Sequence, residues 1–320
     1  MSAMEAYVEP HLTWRLLTKD DAMEVDEFRQ QLEALDNSVL SGVATSITDS
    51  GMQMAEGMAV GGWDAYSSLS AFGISYVAEV DPPRIYLMGG VHPVHRHQSI
   101  GTALFRWQMN RAIAWRDEHH PGQPLWLGCY AELDRPGTEK VARKLGFTPE
   151  RFYYDLQRSL RHPVRHHDVP GITVTRLTDA LEEDVRVLHN TCFAPLGGSE
   201  VTKVDWRHRL CDATFRYDWS FVALDGERVV GYAMSGVDQE GDTDEALGGW
   251  TERFGVHPDY RGRGISLALM EHCLNAMRDS GCTEAGIGVD TVDGEGIKRF
   301  ATDLGYATRD AVALLSTVVE

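Results

Sequence analysis

The sequence predicts an α+β fold in two successive copies, each a mixed, mostly antiparallel sheet flanked by helices. The main observation is that a strand, a Gly-rich turn and a helix near the end of the chain also occur in the first half. A second observation is Asp225-Gly226 between two apolar runs, which is typical of a type I′ β-hairpin. A length of 320 residues also favours two domains.

In the first half, Thr13 to Leu17 reads as a short strand, and Thr18 is a candidate N-cap for the helix that follows. Residues 37–62 are rich in Ser, Gly and Met, and we expect helix and loop there, lining a pocket. Two further strands are predicted over 71–80 and 84–91, because Asp81-Pro82-Pro83 between them is a turn signal.

In the second half, the helix after the Gly-rich turn has one apolar face. Its members are Ile265, Leu269, Met270, Cys273, Leu274 and Met277. The other predicted elements are a strand over 172–177, helices over 182–193 and 206–216, the hairpin over 219–234, a strand over 246–256, a strand over 283–289, a helix over 294–304 and a final strand region over 306–319.

The two halves align at an offset of 165 residues. The matched pairs are Val91 and Val256, His92 and His257, Pro93 and Pro258, Arg96 and Arg261, Ile100 and Ile265, Ala103 and Ala268, and Leu104 and Leu269. This internal repeat predicts a first domain over 1–160 and a second over 172–320. Residues 161–171, which contain two prolines and many polar residues, are the predicted linker.

Composition excludes several classes of protein. A net charge of −18 is unsuited to nucleic acid, and no apolar run is long enough to span a membrane. The N-terminus lacks the apolar segment of a signal peptide, so we expect a cytoplasmic location. Five cysteines without a Cys-x-x-Cys pair predict reduced thiols, and no metal is expected. His166-His167 could suggest a metal site, but adjacent histidines are more typical of a solvated linker.

The turn over 261–266 is suited to binding a phosphate. The first N–H groups of a helix have no partner within the helix, and they lie at the positive end of its dipole. Gly262 and Gly264 allow the backbone unusual dihedral angles, while Arg261 and Arg263 add positive charge. Neither a Walker A loop nor a dinucleotide-binding Gly-x-Gly-x-x-Gly turn matches these residues.

Together, Arg261, Gly264 and Ser266, the helix after them, and Leu304-Gly305-Tyr306 resemble the GNAT superfamily of N-acetyltransferases. The tandem layout is similar to the mycothiol synthase branch. The resemblance implies two tandem GNAT-like domains, acetyl-CoA as co-substrate, and chemistry in the second copy, with the first copy structural. The residues implied in cofactor binding are Phe254, Gly255, Val256, Arg261, Gly262, Arg263, Gly264, Ile265, Ser266, Asp293 and Phe300, and in the first copy Val91, Arg96, Ile100 and Gly101.

Glu252 is the candidate catalytic base. It lies four residues before Val256, and strand alternation predicts that its side chain shares a face with Phe254 and Val256. Partial burial there would raise its pKa. The resemblance also implies a bulge around 254–256 with an N–H facing the thioester oxygen. The first copy has Leu87 at the matching position. A solvated, structural Glu252 is the alternative.

One departure from the family keeps other functions open. Where many members have a Tyr that protonates the thiolate, the two copies have Val141 and Phe300. We therefore weigh an N-acetyltransferase for a primary amine of a small molecule against a non-catalytic acyl-CoA-binding protein and a mycothiol synthase-like enzyme. Residues 37–62 and 193–216 should form the acceptor site, but their sequence does not identify the amine or an oligomeric state.

Overall fold

A computed structural model describes residues 11–36, 53–194, 199–238, 247–292 and 302–320. The chain divides into two compact units. The first comprises residues 1–153 and 310–320, and the second comprises residues 154–309. The predicted Asp293 and Phe300, and most of the predicted helix over 294–304, lie outside the described residues.

In the first unit, the described strands follow the order β1-β2-β3-β4-β5-β12. Their bounds are Thr13–Leu16, Gln53–Trp63, Leu69–Val80, Pro83–Val91, Leu125–Glu132 and Ala307–Val319. The helices are α1 (Ala22–Asp36), α2 (Ile100–His119) and α3 (Gly137–Lys144). The β4–β5 pair is parallel, whereas the pairs β1–β2, β2–β3, β3–β4 and β5–β12 are antiparallel. A mixed, mostly antiparallel sheet with helices is therefore confirmed.

In the second unit, the strand order is β6-β11-β10-β9-β8-β7. The bounds are β6 Thr148–Ser159, β7 Thr173–Arg176, β8 Phe221–Asp225, β9 Arg228–Val237, β10 Gly248–Val256 and β11 Glu284–Thr291. The helices are α4 (Glu182–Phe193), α5 (Lys203–Leu210) and α6 (Ile265–Asp279). Of the strand pairs whose register is described in this unit, only β10–β11 is parallel. It corresponds to the parallel β4–β5 pair of the first unit. The predicted helix over 206–216 is displaced, because α5 ends at Leu210 and residues 217–219 form a 3-10 turn.

The last strand of the chain belongs to the first unit. Residues 312–319 of β12 pair with β5, and residues 310–320 cluster with that unit. In the second unit, β6 lies beside β11 at the corresponding sheet position. The two copies have thus exchanged their final strands, which sequence similarity between the copies does not reveal.

The predicted apolar face of α6 is the centre of the second unit's core. Leu269, Cys273, Leu274 and Met277 are fully buried against β8, β9, β10 and β11. Each such side chain contributes about 1.5–3 kcal/mol through burial. This packing fixes α6 against the sheet, and with it the position of the turn that precedes the helix.

The hairpin between β8 and β9 differs in type from the prediction. Asp225 pairs with Arg228, so the two central residues are Gly226 and Glu227. Gly226 has φ of 60°, and Glu227 has no positive φ. A positive φ at the first central residue alone indicates a type II′ turn, not the expected type I′.

The segment predicted as a solvated linker is bound to α6. The backbone N–H of His167 donates to Glu271 Oε2 at 2.7 Å, and its ring Nδ1 contacts Glu271 Oε1. Glu271 is completely buried, and Asn275 Oδ1 accepts a hydrogen bond from the Val164 N–H at 2.9 Å. A buried carboxylate needs such donors, and the linker supplies them. Residues 164–167 therefore form part of the second unit.

Candidate active site

The turn between β10 and α6 has the geometry expected of an anion-binding nest. Gly262 and Gly264 have φ of 77° and 81°, so both lie in the left-handed region. A Cβ on either residue would meet nothing within 4 Å, so glycine is favoured here by backbone conformation and not by space. Gly264 precedes Ile265, the first residue of α6, and no side chain caps the helix. The first N–H groups of α6 are therefore free of a side-chain cap.

The first copy reproduces this turn without its glycines. His97 and Ser99 have φ of 64° and 67°, and α2 begins at Ile100. Both copies also place a one-turn 3-10 helix before the nest, over 93–95 and over 258–260. A left-handed conformation costs a non-glycine residue roughly 1–2 kcal/mol. The first copy therefore has the same left-handed backbone conformation at His97 and Ser99, although glycine would favour it more.

Arg261 braces the turn. Its Nε donates to the carbonyl oxygen of Val256 at 3.3 Å, and in the first copy Arg96 Nε donates to Val91 O at 2.9 Å. Arg96 also makes a two-pronged ion pair with Asp36, at 2.8 and 2.6 Å. Both arginines are also predicted cofactor ligands, and that role stays a prediction. The described contacts show each one tying the end of a strand to the turn that follows.

Glu252 sits in a β-bulge of β10. Thr251 pairs with Ser235 and Arg253 pairs with Met234, so Glu252 is the extra residue. The predicted bulge over 254–256 is therefore displaced toward the start of the strand. The bulge also breaks the side-chain alternation that was assumed for Glu252.

As a result, Glu252 does not share a face with Phe254 and Val256. The side chains of Phe254 and Val256 pack on the α6 core. The Glu252 carboxylate instead lies over Gly236 of β9, where a Cβ would be 3.0 Å from Glu252 Oε1. Glu252 is exposed at the edge of the opposite face. Desolvation nevertheless raises the pKa of its carboxyl, with Arg253 opposing the shift and Asp212 adding to it. The predicted rise of the Glu252 pKa is therefore present, although the bulge places the carboxylate differently.

The corresponding strand of the first copy is regular. Residues 85–91 of β4 pair with β3 without interruption, and Leu87 is opposite Ser75 and buried. The first copy thus lacks both the bulge and the carboxylate. This difference supports the expectation that chemistry resides in the second copy.

Residues 183–306 match the model of the acetyltransferase (GNAT) family. This part of the chain belongs to the GNAT family. The mycothiol acetyltransferase of Thermobispora bispora is 26% identical over 73% of this chain and 76% of its own length. That of Stackebrandtia nassauensis is 28% identical, over 68% and 72%.

Solved structures show the same fold along nearly the whole chain. A GCN5-related N-acetyltransferase from Sphaerobacter thermophilus superposes with a TM-score of 0.65 at 18% identity, covering 97% of this chain and 96% of its own. A tandem GNAT protein from the clavulanic acid biosynthesis pathway gives a TM-score of 0.53 at 13% identity, covering 96% and 98%. These solved structures show the fold alone. The family match, with the similarity to the mycothiol acetyltransferases, identifies an acetyl-CoA-dependent N-acetyltransferase. We therefore set aside the non-catalytic acyl-CoA-binding protein.

The predicted cofactor-binding residues of the GNAT domain fall into two groups. Phe254 and Val256 lie on the α6 face of β10, in the same apolar cluster as the buried Ile265. Ser266, the next residue of α6, is half-buried. Gly255 faces the other way, where a Cβ would come within 2.8 Å of Tyr232 Cε1 and 3.1 Å of Cys192 Sγ. The structure thus brings β10 and the nest together, and any role in binding acetyl-CoA stays a prediction.

Two side chains near the turn that could donate a proton, His257 and Tyr260, have partners in the β8–β9 hairpin. Tyr260 Oη donates to Asp225 Oδ2 at 2.8 Å, and the Arg228 guanidinium donates to His257 Nε2 at 3.1 Å. Arg263 is exposed and lies over the Tyr260 ring. We do not assign the protonation of the leaving thiolate to either His257 or Tyr260, because both are held by structural contacts.

Sequence reasoning missed a polar cluster under α4 and α5. His189 Nδ1 and Tyr232 Oη are 2.6 Å apart, and both side chains are buried beside Trp206. Burial, with help from Arg253 and Arg209, lowers the pKa of His189 from 6.5 to about 4, so the ring is neutral near pH 7. In the sequence, the available signal for such a cluster was the i, i+3 spacing of Trp206 and Arg209. This spacing places an aromatic and a charged side chain on the same side of a helix.

No helix in the described ranges has both the length and the apolar character needed to span a bilayer. Within the same ranges, no group of three or more His, Cys, Asp or Glu side chains is arranged to hold a metal ion.

Proposed function

We propose that this enzyme acetylates a primary amine of a small molecule in its second copy, with Glu252 as the general base. The observation that carries the proposal is the bulge of β10, which places a carboxylate of raised pKa on the strand leading to the anion-binding nest. Acetyl-CoA supplies the acetyl group as an activated thioester. The amides of residues 261–266 would hold its diphosphate, while the edge of β10 would hold the arm that carries the thioester.

The role of Glu252 follows from the protonation state of the acceptor. A primary amine is largely an ammonium ion near pH 7 and has no lone pair with which to attack a carbonyl carbon. Glu252 takes one proton, directly or through a water, and the neutral amine then forms the new C–N bond as the C–S bond breaks. A raised pKa brings the carboxylate closer to the working pH and makes it a stronger base.

The test is release of free CoA thiol from acetyl-CoA with a panel of amines, comparing wild type with Glu252→Gln. We expect kcat/KM to fall by about 10²- to 10⁴-fold for the active amine, with acetyl-CoA binding unchanged by calorimetry. Glu227→Gln, in the exposed β8–β9 turn, is the matched control and should retain wild-type rates. Equal rates for wild type and Glu252→Gln across pH would remove Glu252 as the base.

A second candidate is acetylation of the amine of a cysteinyl amino-sugar. It is favoured by the mycothiol acetyltransferases of Thermobispora bispora and Stackebrandtia nassauensis, which are similar over about two thirds of this chain or more. Including a cysteinyl amino-sugar in the panel decides between the two, because a mycothiol-type enzyme should turn it over with much higher kcat/KM than simple amines.

A further inference from the structure

Two arginines lie near Glu252, and among the described residues neither has a carboxylate within hydrogen-bond or ion-pair distance. Arg253 follows the bulge directly on β10, and Arg209 lies near the end of α5. Arg209 Nη1 is buried and has no hydrogen-bond partner among the described residues. Among the residues that the structure describes, neither the Arg209 nor the Arg253 guanidinium forms an ion pair. Burying the donors of a guanidinium without acceptors is unfavourable, so this arrangement calls for an explanation.

The two guanidiniums lie on the same side of the sheet. Arg253 pairs with Met234, which belongs with Tyr232 to the core under α4 and α5. Arg209 is one helical turn after Trp206, which is buried in that core. The pKa of Arg209 agrees with this placement. Desolvation lowers it most, and the positive charge of Arg253 lowers it further, as expected for two cations near each other. Glu252 and Asp205 act in the opposite direction on the Arg209 pKa.

Three other arginines of this protein have carboxylates matched to them. Arg15 binds both oxygens of Asp21, Arg96 binds both oxygens of Asp36, and Arg186 binds both oxygens of Glu183. Arg209 and Arg253 are the contrast. The two acids that flank Arg209 in sequence have other hydrogen-bond partners. Asp205 accepts from the hydroxyl of Thr202, and Asp212 accepts from the N–H and the hydroxyl of Thr214. Paired guanidinium donors fit the oxygens of a carboxylate or a phosphate.

The position of the pair separates it from the diphosphate of acetyl-CoA. Arg253 is three strand residues before Val256, which is about 10 Å, and it faces away from α6, whose first turn forms the nest. It is, however, the immediate neighbour of Glu252. An anion bound here would therefore belong to the molecule whose amine meets the base. The protein's net charge of −18 repels anions, so a local positive site would be needed to bind one.

We propose that Arg209 and Arg253 bind an anionic group, a carboxylate or a phosphate, on the acceptor and thereby position its amine at Glu252. The inference rests on the proposed function and narrows its substrate class to amines that carry an anion. It also separates this enzyme from one that acts on a neutral sugar amine.

The first experiment measures turnover with matched acceptors. β-Alanine and 4-aminobutyrate are compared with their carboxamides, and glucosamine 6-phosphate is compared with glucosamine, so that carboxylate and phosphate are tested separately. We expect wild type to favour the anionic member of at least one pair by tenfold or more in kcat/KM. Arg209→Gln and Arg253→Gln should each abolish that preference by raising KM for the anionic member alone.

Arg209→Lys and Arg253→Lys serve where a glutamine variant does not fold, and they should retain part of the preference, because lysine keeps the charge without the paired donors. Arg207→Gln, on the exposed side of the same helix, is the matched control and should behave as wild type. Preference for the neutral members in wild type, or an unchanged preference in both glutamine variants, would overturn the proposal.

A second experiment does not depend on turnover. The guanidinium Nε–H resonances of Arg209 and Arg253, assigned from the variants, are followed by NMR during titration with glutarate and with inorganic phosphate. Saturable shifts at both arginines, absent for Arg207, support the anion site even if no amine in the panel is acetylated, in which case the proposed function alone fails. Turnover of an amine with no anion-dependent shift retains the proposed function and refutes the anion site.

Discussion

The neutral, buried His189 gives the stability of the second unit a specific dependence on pH. Its ring is 3% exposed, and burial beside Arg253 and Arg209 lowers its pKa from 6.5 to about 4. In the unfolded chain the same ring accepts a proton near pH 6.5. Between these values only the unfolded state binds the proton, so stability is lost as pH falls from about 6.5 toward 4.

The size of the effect follows from the two pKa values. Each unit of pKa corresponds to about 1.4 kcal/mol, so the full loss below pH 4 is about 3 kcal/mol, and about 2 kcal/mol is already lost at pH 5. Replacing His189 with Gln removes this contribution. Carboxylates such as Asp21 and Glu183 also make stability depend on pH, since their ion pairs lower their pKa values. Those contributions are the same in both proteins and cancel in the difference.

The assay is urea denaturation of wild type and His189→Gln at several pH values from 7.5 to 5. We expect the free energy of unfolding of wild type, relative to the variant, to decrease by about 2 kcal/mol over this range. NMR of ¹⁵N-labelled histidine in the folded protein should show no protonation of His189 above pH 5. A ring that titrates near pH 6.5, or a difference in stability that does not change with pH, would refute the reasoning.

The other predictions concern backbone conformation and the docked linker. Ser99→Gly should stabilise the protein by about 1 kcal/mol, because glycine adopts the left-handed conformation of this residue without strain. Gly264→Ser should destabilise the matching turn by a similar amount and weaken acetyl-CoA binding. Thermal unfolding and calorimetry check the two variants, and an unchanged melting temperature for both would contradict the assigned strain. Glu271→Ala should cost about 2 kcal/mol, since it removes the acceptor of the His167 N–H and the contact with the His167 ring, and it should increase hydrogen exchange at the His167 amide. Slow exchange at that amide in the variant would show that the linker is held by other contacts.

Local patterns predicted the parts of the site that depend on neighbours in sequence. The turn over 256–266, the start of α6 and the buried face of that helix follow from glycine positions and helical spacing, and the structure confirms each of them. The repeat at an offset of 165 predicted the matching turn in the first unit. The sequence did not predict that Arg96 and Arg261, at equivalent positions, would each donate to a carbonyl at the end of the preceding strand.

Features that depend on pairing between distant segments could not be predicted in the same way. The bulge at Glu252 is fixed by the register of β10 against β9, and no pattern within β10 marks it. The electrostatic influence of Arg253 on Arg209 requires α5 and β10 to come near each other in the fold. Glu271 was the one available signal for the docked linker, because a carboxylate on a buried helix face requires partners.

The exchange of final strands has a consequence for how this protein is made. The first 153 residues contain five of the six described strands in their sheet, and the sixth, β12, is synthesised only after the second unit. Until β12 arrives, β5 presents an open edge to the cell, and such edges recruit strands from other chains. The order of translation thus leaves the first half incomplete during the whole time that the second half is being made, and premature termination anywhere in the second half would produce an aggregation-prone fragment.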